Sequence, residues 1–99
     1  MPKFMVQVVL HDVVTQRIYD GLNAAMQKKG FAREFVGKKA DYRLPTGTYW
    51  YEGDLSLNDL RMKAAAAAET TGEDFGIFVV RADGWSAMRL KRVNASQQG

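Results

Sequence analysis

Ninety-nine residues, 46% hydrophobic and 25% charged with a net charge of +3, suffice for one globular domain with a single two-layer core and leave no room for a second. The chain has no cysteine, which excludes disulfides, thiolate metal sites and cysteine nucleophiles. It also has no apolar run of membrane-spanning length and no basic-then-apolar leader, so a soluble cytoplasmic protein away from the membrane is expected.

The charge is unevenly spread. Residues 1–47 carry eight basic and four acidic side chains, residues 48–80 two and six, and residues 81–99 four and one. If the two basic ends lie side by side, they present an electropositive face suited to a polyanion.

In chain order, Phe4 to Leu10 is six-sevenths apolar with three valines, which predicts a central strand buried on at least one face. It runs directly into His11-Asp12. Val14, Ile18, Leu22 and Met26 then recur every fourth residue, flanked by Tyr19 and Ala25. They predict an amphipathic helix capped by Asp12 or Thr15, favoured at its C-terminal end by Lys28 and Lys29, and stopped by Gly30. Phe31 to Val36 alternates and reads as a second strand. A polar connection follows over 37–43, then the turn Leu44-Pro45-Thr46-Gly47 and the β-former cluster Thr48-Tyr49-Trp50-Tyr51, a third strand hairpinned to the second. Ser56, with Asp59 three residues on, resembles a capping box, and the run Ala64 to Ala68 predicts a second helix ending at Gly72. Phe75 to Ala82 is a fourth strand. Asp83-Gly84 is a hairpin turn, and Trp85 to Val93 is a fifth strand.

This order, β-α-β-β-α-β with an added strand, predicts an α+β, ferredoxin-like antiparallel sheet with both helices on one face and a C-terminal hairpin that places the extra strand at the edge. Residues 1–93 form the expected domain and 94–99 a flexible tail.

The candidate chemistry concentrates at the end of the first strand. Asp12 there is placed to bind a divalent cation or orient water, with His11 as acid or base; the plainer alternative makes Asp12 a helix cap and His11 a rim residue. A metal would need further oxygen ligands, from Asp41, Asp54 or a second subunit. Candidate phosphate-binding cations are Arg17, Arg33, Lys38, Lys39 and Arg43, and on the last hairpin Arg89 and Lys91, beside Arg81 and Arg92. The same charges would serve equally to protect an edge strand and solvate helix ends. Aromatics on the helix-free face of such a sheet stack unpaired bases, but alternation sends Trp50 opposite to Tyr49 and Tyr51, which leaves core and surface packing as the plainer role. Phosphate-binding glycine loops, dinucleotide fingerprints, paired histidines and a serine triad are all missing from the sequence, so no organic cofactor is expected.

A strand ending in aspartate, a helix bearing Leu22 and Met26 before Phe31, Leu44-Pro45 ahead of Tyr49, and the serine-capped helix Ser56 to Arg61 together resemble the GhoS-like small antitoxin endoribonucleases. That family is similar in fold to the small dimeric CRISPR-associated nucleases. The resemblance spans most of residues 4–80 and implies cleavage of single-stranded RNA, with Asp12 as the matching carboxylate. Gly21 and Asn23 stand where the family pattern has arginines in the first helix, leaving Arg17 as the helix's arginine. The expected function is a small RNA-binding protein, its catalytic form being a single-stranded-RNA endoribonuclease of antitoxin type. The alternative is a non-enzymatic homodimeric interaction module. A homodimer is expected in either case, since an uncovered sheet face and an edge need cover.

Overall fold

In the computed structural model the described residues are 2–12, 15–36 and 41–82. Their elements are β1 (Lys3–Leu10), α1 (Gln16–Lys28), β2 (Glu34–Val36), β3 (Asp41–Arg43), β4 (Thr48–Glu52), α2 (Leu57–Glu69) and β5 (Phe75–Arg81). β1 is the centre of a three-stranded antiparallel sheet ordered β4-β1-β5. Its alternation decides what each face holds. Phe4, Val6, Val8 and Leu10 are buried, whereas Lys3, Gln7 and Val9 are exposed and Met5 is half-buried.

Both helices cover the face of the even-numbered β1 residues. Leu22 and Met26 from α1 and Leu60, Ala64, Ala67 and Ala68 from α2 join Phe4, Val6, Val8, Leu10, Phe31 and Tyr49 in one core. The alanine run is therefore a packing surface as well as a helix former, since its short side chains let α2 lie close to sheet and partner helix. No helix among the described residues is long and apolar enough to cross a membrane.

The caps follow local chemistry. Thr15, and not Asp12, caps α1, its hydroxyl accepting from the Ile18 N–H at 3.4 Å. At the other end Gly30 takes a φ of 91°, and the N–H groups of Gly30 and Phe31 donate to the carbonyls of Gln27 and Met26, a Schellman closure. Ser56 caps α2 by accepting from the Asp59 N–H at 3.0 Å.

The second strand differs from the alternation-based expectation of one element over 31–36. Ala32 pairs with Trp50 through two 2.8 Å hydrogen bonds, but the chain then bends at Arg33, and Glu34–Val36 pairs with Asp41–Arg43 in a separate two-stranded sheet. The reason is visible at the bend. The Arg33 guanidinium Nη2 donates to the Leu44 carbonyl at 3.2 Å and the Arg33 carbonyl accepts from the Leu44 N–H at 2.8 Å, so residues 34–36 follow the 41–44 segment away from β4. The expected hairpin turn Asp83-Gly84, the fifth strand Trp85 to Val93 and the tail lie outside the described residues.

Candidate functional site: the strand-end rim and the open sheet face

Antiparallel register places the odd-numbered β1 side chains beside alternate residues of both neighbours. Met5 pairs with Trp50 and Val80, Gln7 with Thr48 and Phe78, and Val9 with Gly76. These residues form the face that no described helix covers. Its exposed apolar members are Phe78, 60% exposed, and Val9, 44% exposed, with Met5, Trp50 and Val80 half-buried beside them. Gln7 is exposed at its centre.

His11 continues this face. Its backbone N–H donates to the Asp74 carbonyl at 3.0 Å, extending the pairing of β1 with β5 by one rung. Its ring lies over Gly76: a methyl group on that glycine would stand 3.4 Å from His11 Nε2 and 3.5 Å from Cε1. Asp12, also exposed, follows at the rim, three positions before the helix cap Thr15, and Arg17 is exposed in the first turn of α1. The structure thus sets His11, Asp12 and Arg17 at one end of the molecule, where β1 gives way to α1.

The other candidate residues are placed differently. Arg43 is exposed and 3.8 Å from the Glu34 carboxylate, across the small sheet. Arg33 is half-buried, engaged with the Leu44 carbonyl, while its Nε is buried without a hydrogen-bond partner. Lys38, Lys39, Arg89 and Lys91 lie outside the described residues. Among the described residues no three of His, Asp and Glu come together as a metal site, and Asp54 is exposed beyond β4. A cation at Asp12 would complete its shell with water and substrate oxygens, as magnesium commonly does.

The tyrosine cluster divides as alternation requires, with Trp50 on the open face and Tyr49 and Tyr51 on the helix side. Tyr49 is fully buried, and its hydroxyl donates to Asn23 Oδ1 at 2.6 Å. Burial pushes its phenol up to about 12, opposed by the Arg33 charge and assisted by Tyr19. Because the folded state raises this pKa above its ordinary value of 10, the contribution is complete below pH 10 and is lost as the pH climbs towards 12. A shift of that size corresponds to about 2–3 kcal/mol. Tyr49→Phe should therefore show a shallower loss of stability than the wild type in urea melts between about pH 9.5 and 11.5. Equal slopes would refute this role for the phenol.

Phe78 is the residue that composition and motif reading passed over. It was one apolar residue among several in a dense strand. The signal was the β5 alternation, which puts Phe75, Ile77 and Val79 against the core and Phe78 and Val80 opposite. Asn23, noted in the sequence for departing from a family pattern, here holds the Tyr49 hydroxyl. Comparison with family models, with curated proteins and with solved structures gives no match to this chain.

Proposed function

We propose that this is a small RNA-binding protein that takes single-stranded RNA on its open sheet face, and that its catalytic form is an endoribonuclease acting at His11 and Asp12. The observation that supports it is the open face itself: exposed Phe78, Gln7 and His11 share it, and exposed Asp12 follows His11 at the rim. Exposed rings on the helix-free face of an antiparallel sheet are suited to stacking unpaired bases. An exposed amide in the middle of an apolar face is costly to bury dry against a protein, but it has a donor and an acceptor for a base edge. The basic balance of the chain, with a pI of 9.3, favours a polyanion. The resemblance to GhoS-like antitoxin endoribonucleases points the same way, and with it we infer the full ferredoxin-like layout, the last hairpin adding its strand beside β5.

In this reading Asp12 orients water or a hydrated cation, His11 serves as acid or base, and Arg17 meets a phosphate. The test is end-labelled single-stranded RNA with the wild type and Asp12→Asn, in magnesium, manganese or EDTA, read on a denaturing gel. Cleavage should fall by roughly 100-fold or more in Asp12→Asn, while binding at low salt persists. Intact RNA with the wild type under all conditions removes the nuclease. Absence of salt-sensitive binding removes the RNA reading altogether.

A second reading has its own observation. Val9, Met5, Val80 and Phe78 make a contiguous apolar surface of the kind that a homodimer buries. Such an association would be nearly insensitive to salt, whereas phosphate binding weakens steeply.

A further inference from the structure

The geometry points to a two-ring base platform formed by His11 and Phe78, with the imidazole lying against Gly76. This rests on the RNA reading above and specifies which groups on the open face meet the bases. The two rings belong to one face by independent observations. Phe78 is paired with Gln7 in register, two residues along β5 from Gly76, and the His11 ring lies over Gly76 itself, at 3.4 Å from where a methyl group there would stand. Two residues of strand span about 7 Å, roughly twice the 3.4 Å spacing of nucleotides along a duplex strand. Phe78 and the residue beneath the imidazole are so spaced along β5, and bases meeting the two rings would be drawn apart, which a single strand permits and a duplex resists. Exposed Val9 lies on the same face, paired with Gly76, and Gln7, paired with Phe78, offers its amide to a base edge.

Gly76 is the discriminating position. In the interior of a strand glycine is unfavourable, and nothing about the pairing of β5 with Val9 requires it. A β-branched side chain there would suit the strand; its Cβ would only touch the imidazole, but the branches beyond Cβ would compete with the ring for the same surface. Gly76→Val should therefore leave the fold intact or firmer while weakening RNA binding, a combination that a purely structural role for this glycine does not produce.

The experiment measures fluorescence anisotropy of a labelled twelve-nucleotide oligouridylate in EDTA at low salt. A matched oligomer carrying two abasic positions is the second probe. Wild type should favour the complete oligomer. Phe78→Ala, His11→Ala and Gly76→Val should each weaken it by roughly tenfold, the range expected for one stacked base, and Phe78→Ala should narrow the preference over the abasic probe. Phe78→Trp and His11→Phe should keep binding near the wild-type level, because either replacement preserves a ring. The salt dependence should be unchanged in all of them, since the rings neutralise no phosphate.

Equal affinities of wild type and Phe78→Ala would overturn the platform while leaving RNA binding by the protein standing. No binding by the wild type overturns both. Sedimentation showing a dimer that Phe78→Ala dissociates would assign the face to a second copy of this chain and overturn the platform as well.

Discussion

Replacing Gly47 with alanine is expected to cost the domain about 2–4 kcal/mol, measured as a lowered urea midpoint at unchanged slope. Gly47 has a φ of 84°, and its carbonyl accepts from the Val8 N–H at 2.8 Å, the contact that sets β4 against the centre of β1. Positive φ alone costs an L-residue about 1–2 kcal/mol. Here a Cβ would also stand 2.7 Å from the Val8 carbonyl oxygen, a backbone atom of the central strand that no side-chain rotation can move aside. The turn must shift and weaken its hydrogen bond, adding about 1 kcal/mol. Asparagine, which tolerates positive φ, should not rescue position 47, because it too carries a Cβ. At Gly72, where φ is 75° and a Cβ would meet nothing within 4 Å, asparagine should be nearly neutral. A Gly47→Ala protein as stable as the wild type would show that the turn has room it lacks in this structure.

Phe4→Ala should be at least as severe, at about 3–5 kcal/mol. Phe4 is 2% exposed in the core, on β1 between β4 and β5 and on the face that the helices cover. Removing its ring forfeits the transfer free energy of a buried aromatic and leaves a void that the close-packed alanines of α2 have no side-chain length to fill. Domains of this size have a total stability of about 5–15 kcal/mol, so the midpoint of thermal unfolding should fall by roughly 15 °C or more. Phe78→Ala is the comparison that gives this result its meaning. The same residue type in the same sheet, but 60% exposed on the opposite face, should melt within about 1 kcal/mol of the wild type. If Phe78→Ala proved as damaging as Phe4→Ala, the open face would be part of the core, and its role in binding would lapse with it.

The residues differ in how much of their role was legible in sequence. His11 and Asp12 stand out as a titratable pair after an apolar strand, and the structure does expose both at the rim. Arg33 looked like one cation among many in a basic stretch. Its engagement with the Leu44 carbonyl depends on a contact eleven residues away, which local charge patterning does not register. Phe78 was hidden for the opposite reason. A run such as Phe75 to Val80 is apolar on both faces, and only the sheet partner tells which side faces water.

Most of the elements follow from sequence by itself; β3 does not, since Asp41–Arg43 falls in the stretch read as a polar connection. The four-residue spacing of Ile18, Leu22 and Met26, the caps at Thr15 and Ser56, the stops at Gly30 and Gly72, and the alternation along β1 are local, governed by backbone sterics, by hydrogen bonding at helix ends and by the period of the hydrophobic pattern. Tertiary structure decided what these rules leave degenerate. It split the second strand, because Arg33 and Leu44 bond to each other and draw residues 34–36 away from β4. It also chose which face of β5 the helices cover, leaving Phe78 and His11 together on the other. Both are long-range choices, in which the free energy of packing and pairing between distant segments exceeds the local preferences of either.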